Sequence, residues 1–155
     1  MLNINCRLDS AAISCKDGSL TKYQVLSKIS TLASRTYDLS EEAILDGLLE
    51  RENLGSTGFG GGIAIPHCKL EGIEAPLGVF LSLSNGLDYD SVDEQAVDLV
   101  FALISPSNNG ASHLRTLAEV SRLLRDEKSC LALRGAKNED AVFAMLSVNS
   151  ELSAA

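Results

Sequence analysis

Two histidines, His67 and His113, supply all the imidazole in this chain of 155 residues. His67 follows Pro66, and just ahead of that pair residues 55–62 read Gly-Ser-Thr-Gly-Phe-Gly-Gly-Gly. So many glycines exclude a regular element there. Backbone N–H groups in such a loop can converge on an anion, because no β-carbon blocks the approach. Ser56 and Thr57 add hydroxyl donors, and Gly58 and Gly60 add N–H groups, so the stretch suits phosphate; a simple flexible turn is the alternative. It is no P-loop, since no Gly-Lys-Ser/Thr follows. It is no dinucleotide fingerprint either, since Ile63 stands where the third glycine belongs. Pro66 fixes the local backbone and so aims the imidazole that follows.

Arg51 precedes this loop at the end of an expected helix. Its ordinary reading is a helix C-terminal cation beside Glu50 or Glu52, and its chemical one is a bidentate grip on phosphate. His113 falls in the first turn of another expected helix. The dipole there disfavours a protonated ring and favours a nearby anion, so His113 is either a surface histidine near a cap or a phosphate contact. Other combinations are weaker. His67 and Cys68 are adjacent, and in extended backbone their side chains diverge, which speaks against a cysteine–histidine pair. Asp88, Asp90, Asp93 and Glu94, with Tyr89 among them, lack EF-hand spacing and read as a solvated loop. A two-histidine metal site needs a third ligand that no spacing singles out, so no metal or cofactor is expected.

The elements that must position these residues follow from periodicity. Val25, Leu26, Ile29, Leu32 and Ala33 fall at helical spacing within 20–35, with Ser19 as the N-cap. A second helix opens with Ser40 as N-cap and Glu41 and Glu42 in its first turn. Ile44, Leu45, Leu48 and Leu49 form its buried stripe, and it ends near Asn53. Residues 63–65 make a short strand that Pro66 stops. The longest strands are expected over 77–84, closed by an Asn85-Gly86 turn, and over 96–104, apolar enough to lie centrally in a sheet. A polar loop over 106–110 leads to a helix over 112–125 with Leu114, Leu117, Ala118 and Leu124 inward. A last helix starts at Asn138 or Glu139 and carries Ala141, Val142, Met145 and Leu146. Interleaved helices and strands indicate an α/β sheet flanked by helices. Several strand connections are too short for a helix, so the sheet is expected to be mixed.

Composition fits one globular domain, with 45% hydrophobic and 22% charged residues. With 5% aromatics and no tryptophan, aliphatic side chains must build the core. The net charge of −8 argues against nucleic acid and bare anionic membrane as partners and favours a basic protein partner. Cys6, Cys15, Cys68 and Cys130 show no C-x-x-C spacing and read as reduced thiols. No signal peptide and no apolar run of membrane-spanning length is present, so a cytoplasmic protein without membrane insertion is expected.

Arg51-Glu52-Asn53-Leu54-Gly55-Ser56-Thr57-Gly58, continuing to Gly62-Ile63-Ala64-Ile65-Pro66-His67, resembles a known family. It is similar to the fructose/mannitol-class enzyme IIA of the bacterial phosphoenolpyruvate-dependent phosphotransferase system, most of all its nitrogen-related regulatory branch. His113-Leu114-Arg115-Thr116-Leu117 and Ser121-Arg122-Leu123-Leu124 carry the resemblance downstream. It implies one EIIA type-2 domain over 1–155, built as three α/β/α layers around a mixed sheet. It implies that His67 is phosphorylated on Nε2, that His113 contacts the phosphoryl group and that Arg51 lies close by. Cys68 departs from the family's usual glycine. The resemblance further implies phosphoryl receipt from HPr or its nitrogen-branch relative, and regulated targets such as potassium transporters or sensor kinases. A sugar-transport IIA serving a separate enzyme IIB, and a binding module that has lost transfer, are the alternatives.

Overall fold

The computed structural model describes residues 4–154, with side chains through residue 147. The strands are β1 (Ile13–Asp17), β2 (Gly58–Gly60), β3 (Ile63–Ala64), β4 (His67–Leu70), β5 (Leu77–Leu87) and β6 (Val97–Pro106). The helices are α1 (Lys22–Tyr37), α2 (Glu41–Asn53), α3 (Gly110–Arg125), α4 (Glu127–Gly135) and α5 (Glu139–Ala154). The sheet runs β1-β5-β6-β3-β2, with β4 also paired to β6. It is mixed: β5 and β6 are antiparallel, whereas β3 and β4 both run parallel to β6.

Burial explains this order. Nine of the ten residues of β6 are buried, because helices cover both faces of the strand. On one face Val25, Leu26 and Ile29 of α1 and Ile44 and Leu48 of α2 pack against Val100, Ala102 and Ile104. On the other, Val120 and Leu124 of α3, Leu133 of α4 and Val142 of α5 meet Leu99 and Phe101. The result is the expected α/β/α sandwich with a largely aliphatic core.

The site depends on how β3 and β4 meet. They lie end to end along β6, with Ala64 opposite Val100 and His67 opposite Leu103. Between them Pro66 has no N–H to give the ladder, although its carbonyl still accepts from the Leu103 N–H. His67 therefore opens a strand rather than closing one. The pleat sends Cys68 toward α2, buried, and leaves His67 on the α3 side.

Cys68 also explains a glycine inside a helix. A β-carbon on Gly47 of α2 would lie 3.0 Å from the Cys68 β-carbon. Gly47 thus lets α2 approach the strand that carries His67. Gly47→Ala should cost about 1–3 kcal/mol through overpacking, despite the better helix propensity of alanine. Urea denaturation of the two proteins checks this.

Several expectations are corrected. The cap of α1 is Thr21, not Ser19: its hydroxyl accepts from the Gln24 N–H, and Gln24 answers in a capping box. Gly58–Gly60 is a short strand, because β3 supplies a ladder for glycines whose own propensity is poor. Asn85-Gly86 lies inside β5 at an irregularity in register, since Leu87 still pairs with Val97. Pro106 ends β6, where β4 extends beside it, and Gly110 already belongs to α3. The inward face of α3 carries Thr116, Val120 and Leu123 beside Leu124, whereas Leu114 is 68% exposed and Ala118 is exposed. Tyr89 is fully buried, so the acidic stretch is anchored at its centre.

Candidate active site

His67 is half-buried at the start of β4, and contacts on both ring nitrogens fix its state. Nδ1 lies 2.9 Å from the Ile65 carbonyl oxygen. A carbonyl only accepts, so Nδ1 carries the proton and Nε2 keeps its lone pair. The Arg51 Nε–H donates to that lone pair at 3.2 Å. Arg51 also donates from Nη1 to the Gly55 carbonyl at 2.8 Å. The helix C-terminal cation is thus turned toward His67 rather than toward Glu50 or Glu52.

His113 is buried in the first turn of α3, not on the surface. Its ring centroid is 5.4 Å from that of His67. Its Nδ1 lies 2.6 Å from the Ser105 hydroxyl, itself fully buried on β6. Lys69, two residues beyond His67, pairs with Ser105 across the ladder, so β4 and β6 together place the two imidazoles.

Burial holds the His67 pKa below the ordinary histidine value; the Ile65 bond opposes this and the Arg51 charge adds to it. Burial, followed by the charges of His67 and Lys69, pulls His113 down to about 4. Both rings are therefore neutral at neutral pH beside one fixed guanidinium. The lowered His113 pKa has a stability consequence. The unfolded chain takes up its proton near its ordinary pKa of ~6.5, before the folded chain does. Stability is complete above that pH and falls as pH drops toward about 4. His113→Gln should flatten this fall by on the order of 2–3 kcal/mol. Denaturant titrations of both proteins at about pH 7 and about pH 4.5 measure it.

The loop residues expected to cradle phosphate hydrogen-bond within the loop and to its neighbours. The Thr57 hydroxyl donates to Glu52, and its N–H donates to Glu52 Oε2 at 3.2 Å. The Ser56 hydroxyl donates to the Tyr89 carbonyl at 2.8 Å and accepts from the Gly58 N–H at 3.1 Å. The spaces a side chain would take at Gly58 and Gly60 are filled by Ser91 with Tyr89, and by Asp93. The structure thus brings His67, Arg51 and His113 together, with Ser56, Thr57, Gly58 and Gly60 as the frame. Cys68 is buried away from the site, and burial pushes its thiol up to about 12, so it offers no thiolate.

Sequence reasoning missed Ser105, Glu52, Tyr89 and Lys22. Ser105 had a signal, as a polar residue directly after an apolar central strand. The other three meet across separations such as 37 and 67 positions, which no local spacing marks.

An imidazole with an unprotonated Nε2, a guanidinium on that nitrogen and a second neutral imidazole can together serve a nucleophile that accepts an anionic group such as a phosphoryl. Residues 8–149 match the family model described as phosphoenolpyruvate-dependent sugar phosphotransferase system, EIIA 2. The chain is 40% identical over 128 residues to the nitrogen regulatory protein of Bradyrhizobium diazoefficiens, spanning 83% of this chain and 84% of the relative. The crystal structure of nitrogen regulatory protein IIA-Ntr from Neisseria meningitidis aligns with a TM-score of 0.83 at 28% identity, covering 90% of this chain and 95% of that one. The complex of enzyme IIAMTL and phosphorylated enzyme IIBMTL from Escherichia coli aligns with a TM-score of 0.75. Its 19% identity, over 92% of this chain and 98% of that one, is a likeness of fold.

Proposed function

The chain belongs to the EIIA 2 family of the phosphoenolpyruvate-dependent sugar phosphotransferase system, and we propose that within it His67 carries the phosphoryl group on Nε2. The carrier is a single EIIA domain of the nitrogen-related regulatory branch, working in the cytoplasm. Its donor is HPr or an HPr-like phosphocarrier, and its phosphorylation state is the signal read by target proteins such as potassium transporters or sensor kinases. Among the described residues no helix is long and apolar enough to cross a membrane. The observation that carries the reading is the bond from His67 Nδ1 to the Ile65 carbonyl, which leaves Nε2 as the nucleophile.

The step needs no strong base. Arg51 releases Nε2 and turns its N–H groups to the incoming phosphoryl oxygens. The Nε2 lone pair forms the new N–P bond as the P–N bond to the donor's phosphohistidine breaks, and that electron pair stays on the donor nitrogen. The Nδ1 proton remains in place. Positive charge that develops on the ring strengthens its bond to the Ile65 carbonyl. If Ser105 donates its O–H to His113 Nδ1, then His113 Nε2–H is free to donate to a phosphoryl oxygen. Positioning and charge stabilisation supply most of the rate in such transfers.

The test is labelling by phosphoenolpyruvate through enzyme I and HPr. An acid-labile, base-stable phosphate is expected, and an unlabelled wild-type protein beside a charged donor overturns the reading. The complex of a mannitol relative with phosphorylated enzyme IIB favours one second reading, onward transfer to a separate IIB. Incubating the labelled protein with candidate IIB proteins, and following the label, separates the two.

A further inference from the structure

Glu52 stands beside Arg51 at the end of α2, yet its side chain is only 5% exposed and points into the frame of the site. Oε2 accepts from the Lys22 ammonium at 2.9 Å and from the Thr57 N–H at 3.2 Å. Oε1 accepts from the Thr57 hydroxyl and, at 3.0 Å, from the Tyr89 hydroxyl. One buried carboxylate thus gathers four donors from α1, the glycine loop and the acidic loop. A buried charge is tolerated only when it is paired and hydrogen-bonded in this way.

Two routes lead from this carboxylate to the reacting atoms. The Thr57 N–H donates to Glu52, the Thr57 carbonyl accepts from the Ile65 N–H at 3.1 Å, and the Ile65 carbonyl accepts from His67 Nδ1. These three hydrogen bonds tie the carboxylate to the imidazole mechanically, because Thr57 and Ile65 are each held on both sides. On the second route, Glu52 fixes Thr57 and Tyr89, the Tyr89 carbonyl holds Ser56, and the neighbouring Gly55 carbonyl anchors the Arg51 Nη1.

We infer that Glu52 is a positioning residue: through Thr57, Ile65 and Gly55 it fixes the tautomer of His67 and the aim of Arg51. The inference rests on His67 being the phosphoryl acceptor for its kinetic consequence, but its structural consequence is independent of any transfer. Glutamine at 52 keeps the volume but loses the charge that four donors are gathered around; its one oxygen can serve the Lys22 ammonium and the Thr57 N–H only if the Thr57 and Tyr89 hydroxyls turn from donors to acceptors of the amide N–H₂. The loop loses its anchor, and the Ile65 carbonyl is no longer held against His67.

Two readouts on Glu52→Gln test this. In single-turnover transfer from phosphorylated HPr, the limiting rate should fall by ~10–100-fold while the donor concentration for half-saturation changes less than about twofold. In the unphosphorylated protein, imidazole ¹⁵N shifts should report one His67 tautomer in wild type and a mixture in the variant. Tyr89→Phe removes a single donor and keeps the ring in its core, so it decides the matter if Glu52→Gln does not fold. It should show the same changes to a smaller degree. A folded variant with the wild-type limiting rate and a single His67 tautomer overturns the inference. Wild-type protein that accepts no phosphoryl group overturns the carrier reading instead, and the tautomer measurement still judges Glu52.

Discussion

Replacing His67 by glutamine should bring phosphoryl acceptance down to background, a loss of at least ~10⁴-fold, while the fold survives. Glutamine can donate to the Ile65 carbonyl from its amide nitrogen and keep the start of β4 in register. It has no nitrogen lone pair able to form an N–P bond. The neighbouring ring is not placed to substitute: His113 lies 5.4 Å from His67 between centroids, is buried, and has Nδ1 against the Ser105 hydroxyl. Quantitative labelling, with circular dichroism as the control for folding, measures this. In the wild type the same assay should be insensitive to pH above about 6.5 and decline below it, because the neutral ring persists to lower pH than in a free histidine. A rate that climbed with acidity would contradict a neutral nucleophile.

Arg51→Lys should slow transfer by ~10²-fold, close to the effect of alanine at the same position. A lysine keeps the charge and the helix C-terminal placement that an ordinary reading of Arg51 would require. What it lacks is the fork. Arg51 now divides its donors between His67 Nε2 and the Gly55 carbonyl. A guanidinium can keep the second contact and present its remaining N–H groups to two phosphoryl oxygens; an ammonium offers a point charge on a flexible stem. Stopped-flow or quenched-flow transfer from a phosphorylated carrier distinguishes the two. If lysine supported near wild-type rates, charge rather than geometry would be the contribution of this residue.

The sequence disclosed those parts of the molecule in which local chemistry and tertiary structure agree. Ser40 with Glu41 and Glu42 marked the start of α2, and Ser40 is its N-cap, with the end at Asn53 where one was expected nearby. The apolar run of β6 announced a central strand. The residues that meet at the site were also visible individually, since imidazole is scarce here and Pro66 marks the turn before it. Where expectation and structure part, the cause is nonlocal. Ile13–Asp17 becomes β1 only because β5 pairs with it, and nothing in its own pattern alternates cleanly. Gly58–Gly60 is a strand because β3 lies against it. Tyr89 looked like part of a solvated acidic loop until Glu52, 37 residues earlier, met its hydroxyl in the core. Glu52 itself was read as a neighbour for Arg51, because adjacency is what a sequence displays. The helix turns the two side chains to opposite tasks, one toward His67 and one into the frame.

Everything in the mechanism follows from the Ile65 carbonyl holding the proton on Nδ1 and so leaving Nε2 to react. The most direct measurement is heteronuclear NMR of ¹⁵N-histidine protein phosphorylated from phosphoenolpyruvate, in which phosphorus–nitrogen coupling identifies the bonded atom. A single phosphoryl group coupled to Nε2 of His67 is the expected result. Phosphate on Nδ1, on His113 or on no histidine at all would contradict it.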